Sequence, residues 1–90
     1  AYLINTARSP IVNETALIDV LQNRKIAGAA LDVFEVEPLP LNHPLCTLDN
    51  TILTPHVGYV TEDGLSVMYK GAVENIRAYR EGRPVQQLRV

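Results

Sequence analysis

Three short runs of apolar, β-prone residues, Ala1 to Thr6, Ile26 to Phe34 and Thr51 to Thr54, punctuate the chain and predict strands. Between the first two, Leu17, Val20 and Leu21 recur at helical spacing, with Ala16 and Ile18 beside them, while Glu14, Asp19, Gln22 and Asn23 turn toward water. Asn13 is a good N-cap and Glu14 suits the positive end of the helix dipole, so this helix should run to about Arg24, with Arg24 and Lys25 complementing its C-terminus. After the third run, Leu65, Met68, Tyr69, Ala72, Val73, Ile76 and Tyr79 form a broad apolar stripe. Thr61, Glu62 and Asp63 mark the start of that long helix, and Gly82 followed by Pro84 marks its end. Such a stripe is expected to serve packing rather than to line a cofactor. The stretch from Glu35 to Asn50, with Pro38, Pro40 and Pro44, reads as a surface loop. The order strand, helix, strand, loop, strand, helix predicts an α/β fold around a parallel sheet of about three strands. Its parts are residues 1–60 as strands and intervening helix, 61–82 as the long helix, and 83–90 as a tail forming a final strand or an anchor.

Polar chemistry gathers where the apolar runs end. Arg8, Glu37 and His56 each follow one of them, and in an open α/β sheet ligands bind beyond the carboxyl ends of the strands. An arginine, an acid and an imidazole at one sheet edge form a catalytic constellation. Asp32 interrupts its strand among Leu31, Val33 and Phe34; burying an acid there is costly unless a donor meets it, so a partner or a ligand is implied, against the alternative of an acid at the strand's wet end.

Composition narrows the classes of function. With 90 residues the chain makes at most one small domain with a thin core. A net charge of −2 gives no electrostatic reason for nucleic acid or an anionic membrane as partner. No apolar stretch is long enough to span a bilayer and no signal peptide opens the chain, so a cytoplasmic setting is expected. Cys46 is the single cysteine, which excludes an internal disulfide and suits a reducing compartment. His43 and Cys46 lack the further ligands a zinc site needs, so no metal is expected. A strand at the very first residues, with no turn or cap before it, predicts a piece of a longer protein.

Three blocks carry a resemblance: Asn5-Thr-Ala-Arg-Ser-Pro-Ile-Val, Gly28-Ala-Ala-Leu-Asp-Val-Phe-Glu-Val-Glu-Pro and Leu53-Thr-Pro-His-Val-Gly. In this order, and with the long helix after them, they resemble the C-terminal part of the D-isomer-specific 2-hydroxyacid dehydrogenases. The resemblance spans nearly the whole chain and implies a partial Rossmann-type sheet, the closing strands of a nucleotide-binding domain. A Gly-x-Gly-x-x-Gly phosphate loop cannot be written with glycines at 28, 58, 64, 71 and 82, so pyrophosphate and adenine contacts would lie upstream. One departure stands out. The family commonly has glycine after the arginine, whereas Ser9 stands here before Pro10, where a left-handed turn would be strained.

The resemblance implies hydride transfer between NAD or NADP and a 2-oxo or 2-hydroxy acid. Arg8 would grip the substrate carboxylate with its planar fork, His56 would act as general acid/base, and Glu37 would pair with His56, favour its imidazolium form and fix the ring. Glu35 is the exposed decoy. Asp32 would contact the nicotinamide carboxamide, and Thr6, Ala7, Arg8, His56, Val57, Gly58 and Tyr59 would line the nicotinamide half of the cofactor. Two other readings stand beside this one: a nucleotide-binding regulatory or association module of the same fold, and a fragment inactive by itself. Exposed apolar faces predict association, with the missing upstream chain or in a homo-oligomer.

Overall fold

Small side chains at Gly28, Ala29 and Ala30 let a strand sit in the middle of a closely packed sheet, and that is where they are found. The structure, a computed structural model, describes residues 1–88. Strands β1 (Tyr2–Asn5), β2 (Gly28–Leu31) and β3 (Thr51–Leu53) form a three-stranded parallel sheet in the order β1-β2-β3. The register sets Ile4 beside Ala30, and Ala30 beside Ile52. Helix α1 (Glu14–Gln22) connects β1 to β2, and helix α2 (Glu62–Arg80) follows β3. The α/β class and the parallel sheet are as the sequence predicts.

The chain divides into two compact units, Ala1–Gly58 and Tyr59–Val90. In the first, Leu17 and Leu21 of α1 pack with Ala29 and Leu31 of β2, Phe34 and Leu45. Alternation along the strands puts Leu3, Ala29, Leu31 and Leu53 on that side. Tyr2, Ile4 and Ile52 point to the other, where they are 79%, 73% and 69% exposed. Within this unit one face of the sheet is therefore bare, whereas parallel sheets are normally covered on both.

Several elements differ in extent from the sequence reading. Asn13 caps α1 as expected, its Oδ1 accepting the Ala16 N–H at 2.9 Å. The helix ends at Gln22, however, because Asn23 caps it and Arg24 takes a left-handed φ of 54°. Arg24 and Lys25 thus lie beyond the helix and pair with Asp49 at 2.6 Å and Asp19 at 3.4 Å instead of complementing its last turn. Strand β2 is shorter than the apolar run 26–34: the Asp32 N–H makes the last ladder bond, to the Asn5 carbonyl at 3.0 Å, and Val33 and Phe34 stay buried beyond it. The loop from 35 to 50 is not all surface. Pro44–Thr47 form a short 3₁₀ turn that drives Leu45 fully into the core.

In the second unit, Thr61 Oγ1 accepts the Gly64 N–H at 3.0 Å and caps α2. At the other end Gly82, at a φ of 70°, donates to the Tyr79 carbonyl and Arg83 donates to that of Ala78, the paired bonds of a Schellman ending. The stripe expected to be packed is open: Met68, Tyr69, Val73, Ile76 and Tyr79 are 49% to 76% exposed. Residues 83–88 form no strand; Arg89 and Val90, the end of the tail where one was considered, lie outside the described residues. No described helix is long and apolar enough to cross a membrane.

Candidate active site

Because the three strands are parallel, their C-terminal ends share one edge, and the polar residues after each strand converge there. After β1, the buried Asn5 side chain staples the exit: its Oδ1 accepts the Ala7 N–H at 3.1 Å and its Nδ2 donates to the Arg8 carbonyl at 3.0 Å. Arg8 itself is extended, and its Nη1 donates to the Ala7 carbonyl at 2.6 Å. The Ser9–Pro10 departure resolves without a left-handed residue, since Ser9–Ile11 form a short 3₁₀ turn with Ser9 buried.

After β2 comes Asp32, 4% exposed, and the donors that burial demands come from within the chain. Oδ1 accepts from the Thr54 hydroxyl at 2.5 Å and the Val57 N–H at 3.0 Å, and Oδ2 accepts from the Gly58 N–H at 2.9 Å. The Thr54 hydroxyl foremost, then these two N–H groups, hold the Asp32 carboxyl below its ordinary value of 3.8. Asp32 thereby clasps the turn that leaves β3. Gly58 must approach closely for this, since a Cβ there would lie 3.0 Å from Asp32 Oδ2.

Between Thr54 and Val57 sits His56, at a left-handed φ of 57°. Histidine tolerates that region better than most residues, and such conformations persist where the surroundings enforce them. The Asp32 clasp is that enforcement. His56 Nδ1 lies 2.7 Å from Glu37 Oε2, and Glu37 Oε1 accepts the Phe34 N–H at 3.0 Å. His56 first, then the Phe34 N–H, hold the Glu37 carboxyl below its ordinary value of 4.5, and the Arg8 charge acts in the same direction from farther away. A cavity of about 500 Å³ opens beside the pair, walled by Phe34, Leu39, Leu53 and Pro55 among others.

The structure therefore joins Glu37 to His56, and Asp32 to Val57 and Gly58. It sets Arg8 at the same edge within electrostatic reach of Glu37. Thr6 and Ala7 are exposed on the β1 exit, and Tyr59 belongs to the second unit. Glu35, the decoy, is exposed and gives its backbone N–H to Glu14. Sequence reasoning missed Asn5, which holds the β1 exit, and Thr54, which donates to Asp32; for Thr54 the signal was the donor that a buried Asp32 required. Among the described residues no cluster of His, Cys, Asp and Glu could hold a metal.

Residues 1–58 match the family model described as D-isomer specific 2-hydroxyacid dehydrogenase, NAD binding domain. A glyoxylate reductase of Thermofilum pendens is 51% identical over 82 residues, covering 91% of this chain and 24% of that protein. Among solved structures, the TT0316 protein of Thermus thermophilus superposes with a TM-score of 0.89 at 42% identity, over 100% of this chain and 29% of that one. A D-isomer specific 2-hydroxyacid dehydrogenase of Xanthobacter autotrophicus Py2, solved with NADPH and MES, gives a TM-score of 0.73 at 46% identity, over 96% and 35%. The chain thus spans about a quarter of the length of the curated relatives it matches. With three parallel strands, a clasped histidine and this match, the chain belongs to the D-isomer specific 2-hydroxyacid dehydrogenases, residues 1–58 corresponding to their NAD-binding domain.

Proposed function

We propose that this chain supplies the nicotinamide side of an enzyme that reduces a small 2-oxo acid to a D-2-hydroxy acid with NADH or NADPH. The observation that carries the reading is the 2.7 Å contact between His56 Nδ1 and Glu37 Oε2. With Nδ1–H given to a carboxylate, the proton left to exchange with a substrate is the one on Nε2, the arrangement a general acid/base needs. Arg8 offers a guanidinium fork to the substrate carboxylate and polarises the neighbouring carbonyl.

The residues fit a nicotinamide. Asp32 accepts three hydrogen bonds internally, and a carboxylate offers about four acceptor positions, so one direction remains for a carboxamide N–H. Val57 and Gly58 already give their N–H groups to that carboxylate, and we assign Thr6, Ala7 and Tyr59 to the same lining. A bound NAD(P)H supplies the hydride. Imidazolium Nε2 would give its proton to the carbonyl oxygen of the substrate, and Glu37 would steady the ring through the change.

The test is loss of NADH or NADPH absorbance by the complete protein with glyoxylate, hydroxypyruvate and larger 2-oxo acids. Turnover with at least one acid, lost in His56→Ala, is the expected result; no turnover with any acid overturns the reading in favour of a nucleotide-binding regulatory module. The bare sheet face at Tyr2, Ile4 and Ile52 and the open α2 stripe support association with further parts of the protein or a second copy. We expect the isolated chain to be inactive and not to run as a monodisperse monomer in light scattering. The lone exposed Cys46 suits a cytoplasmic setting.

A further inference from the structure

We propose that Glu14 and His43 form a positioning clamp that sets Glu37, and through it the ring of His56; the inference rests on the catalytic reading above. Glu14 opens α1, and a plain helix-dipole role would leave its side chain in water. Instead the side chain is only 12% exposed and ties two points of the 34–45 loop. Oε1 lies 3.1 Å from His43 Nε2, and Oε2 accepts the Glu35 N–H at 3.3 Å, two residues before Glu37.

His43 is built to hold its end. Its Nδ1 accepts the Leu45 N–H at 3.3 Å, which caps the 3₁₀ turn. With Nδ1 an acceptor, the neutral ring carries its proton on Nε2 and donates it to Glu14. This is the opposite tautomer from His56, whose Nδ1 faces Glu37. No strand ladder holds the segment carrying Glu37, so Glu14 and the buried Leu45 anchor it on either side. A displacement of about 1 Å in a catalytic group costs on the order of a hundredfold in rate, which makes such anchoring consequential.

The test uses the complete protein with ¹⁵N-labelled histidine and the variants Glu14→Ala, Glu14→Gln and His43→Asn. Asparagine keeps an acceptor for the Leu45 N–H and does not reach Glu14, so it separates the cap from the clamp. In Glu14→Ala and His43→Asn, the His56 ring signals should shift from the Nδ1–H tautomer to a mixture, with kcat down about tenfold or more and NADH affinity within about twofold. Glu14→Gln, which retains one acceptor oxygen, should recover part of both. Folded variants whose His56 signals match the parent overturn the clamp. If Glu14→Ala does not fold, His43→Asn decides alone. Should the parent show no reductase turnover, the catalytic reading falls, while the ring signals still decide whether the clamp exists.

Discussion

Glu37 receives His56 Nδ1 on one carboxylate oxygen at 2.7 Å while the other is occupied by the Phe34 N–H at 3.0 Å, so the acid is fixed before it fixes the imidazole. A carboxylate bonded on one side alone could rotate with the ring; one anchored to backbone cannot. The ring plane is therefore set by the path of the chain after β2. Removing His56 as alanine should lower kcat about 10²- to 10⁴-fold and leave NADH affinity nearly intact, as loss of an acid/base group does. Glu37→Gln should fall between the two, because an amide can accept one of the two bonds and leaves the ring without its counter-charge. Steady-state kinetics with direct cofactor titration separates these outcomes, and normal turnover in His56→Ala would remove the proton-donor assignment.

Arg8 makes a different prediction because its role is geometric. The guanidinium presents a planar fork, whereas an ammonium is a point charge without paired, parallel N–H donors. Arg8→Lys should chiefly raise KM for the oxo acid and slow turnover as well, with cofactor affinity unchanged. A kinetic profile identical to the parent's would assign Arg8 to the β1 exit, where its Nη1 already meets the Ala7 carbonyl.

Acid should unfold the first unit through the same two carboxylates. Both are held below their ordinary values, 3.8 for Asp32 and 4.5 for Glu37, so the unfolded chain binds protons more readily than the folded one. Their contribution is complete above those ordinary values and is lost as pH falls below them through the lowered folded-state values. Asp49, drawn down by Arg24 beside it, acts in the same sense. Urea midpoints measured from pH 7 downward should fall steeply only below about 4.5 in the parent, and the fall should flatten in Asp32→Asn and in Glu37→Gln. An equally steep fall in both variants would show that other groups govern acid unfolding.

The strands and both helix starts were legible because each has a local cause, an apolar run or a cap; that Glu37 and His56 share one sheet edge followed from their places after two apolar runs, and their pairing came from the family resemblance. Asp32 was half legible. Its burial cost announced a partner, but whether a ligand or the chain itself met it depended on the turn at residues 54–58, which no local pattern encodes. The early end of α1 was hidden because Arg24 is a good helix former on propensity, and its left-handed backbone follows from the chain turning into β2. Leu45 was hidden by its neighbours. Flanked by Pro44, Cys46 and polar residues, it breaks every periodicity, and only the 3₁₀ turn capped by His43 aims it inward.

Leu45 also gives a stability prediction that a surface-loop reading would not. Its side chain is fully buried with Leu21 in the core, so Leu45→Ala should cost about 2–5 kcal/mol, as buried leucine deletions do. Leu41, in the same segment but 94% exposed, should tolerate alanine within about 0.5 kcal/mol. Denaturant unfolding of the two variants measures the contrast, and equal stabilities would place Leu45 outside the core.

Two glycines should respond to alanine with opposite signs. At Gly58 the added Cβ would meet Asp32 Oδ2 at 3.0 Å, so the carboxylate must give way by a few tenths of an ångström and loosen its bond to the Gly58 N–H. That bond is part of what keeps His56 in its left-handed conformation, so Gly58→Ala should lower kcat about tenfold in a protein that still folds. Gly71, inside α2, has nothing within 4 Å of the added atom, and there alanine removes only backbone freedom from the unfolded chain. Gly71→Ala should raise stability by about 0.5–1 kcal/mol with kinetics unchanged. Paired thermal unfolding and steady-state assays distinguish the two, and a Gly58→Ala enzyme with parental kcat would mean that the Asp32 clasp is not what positions the histidine.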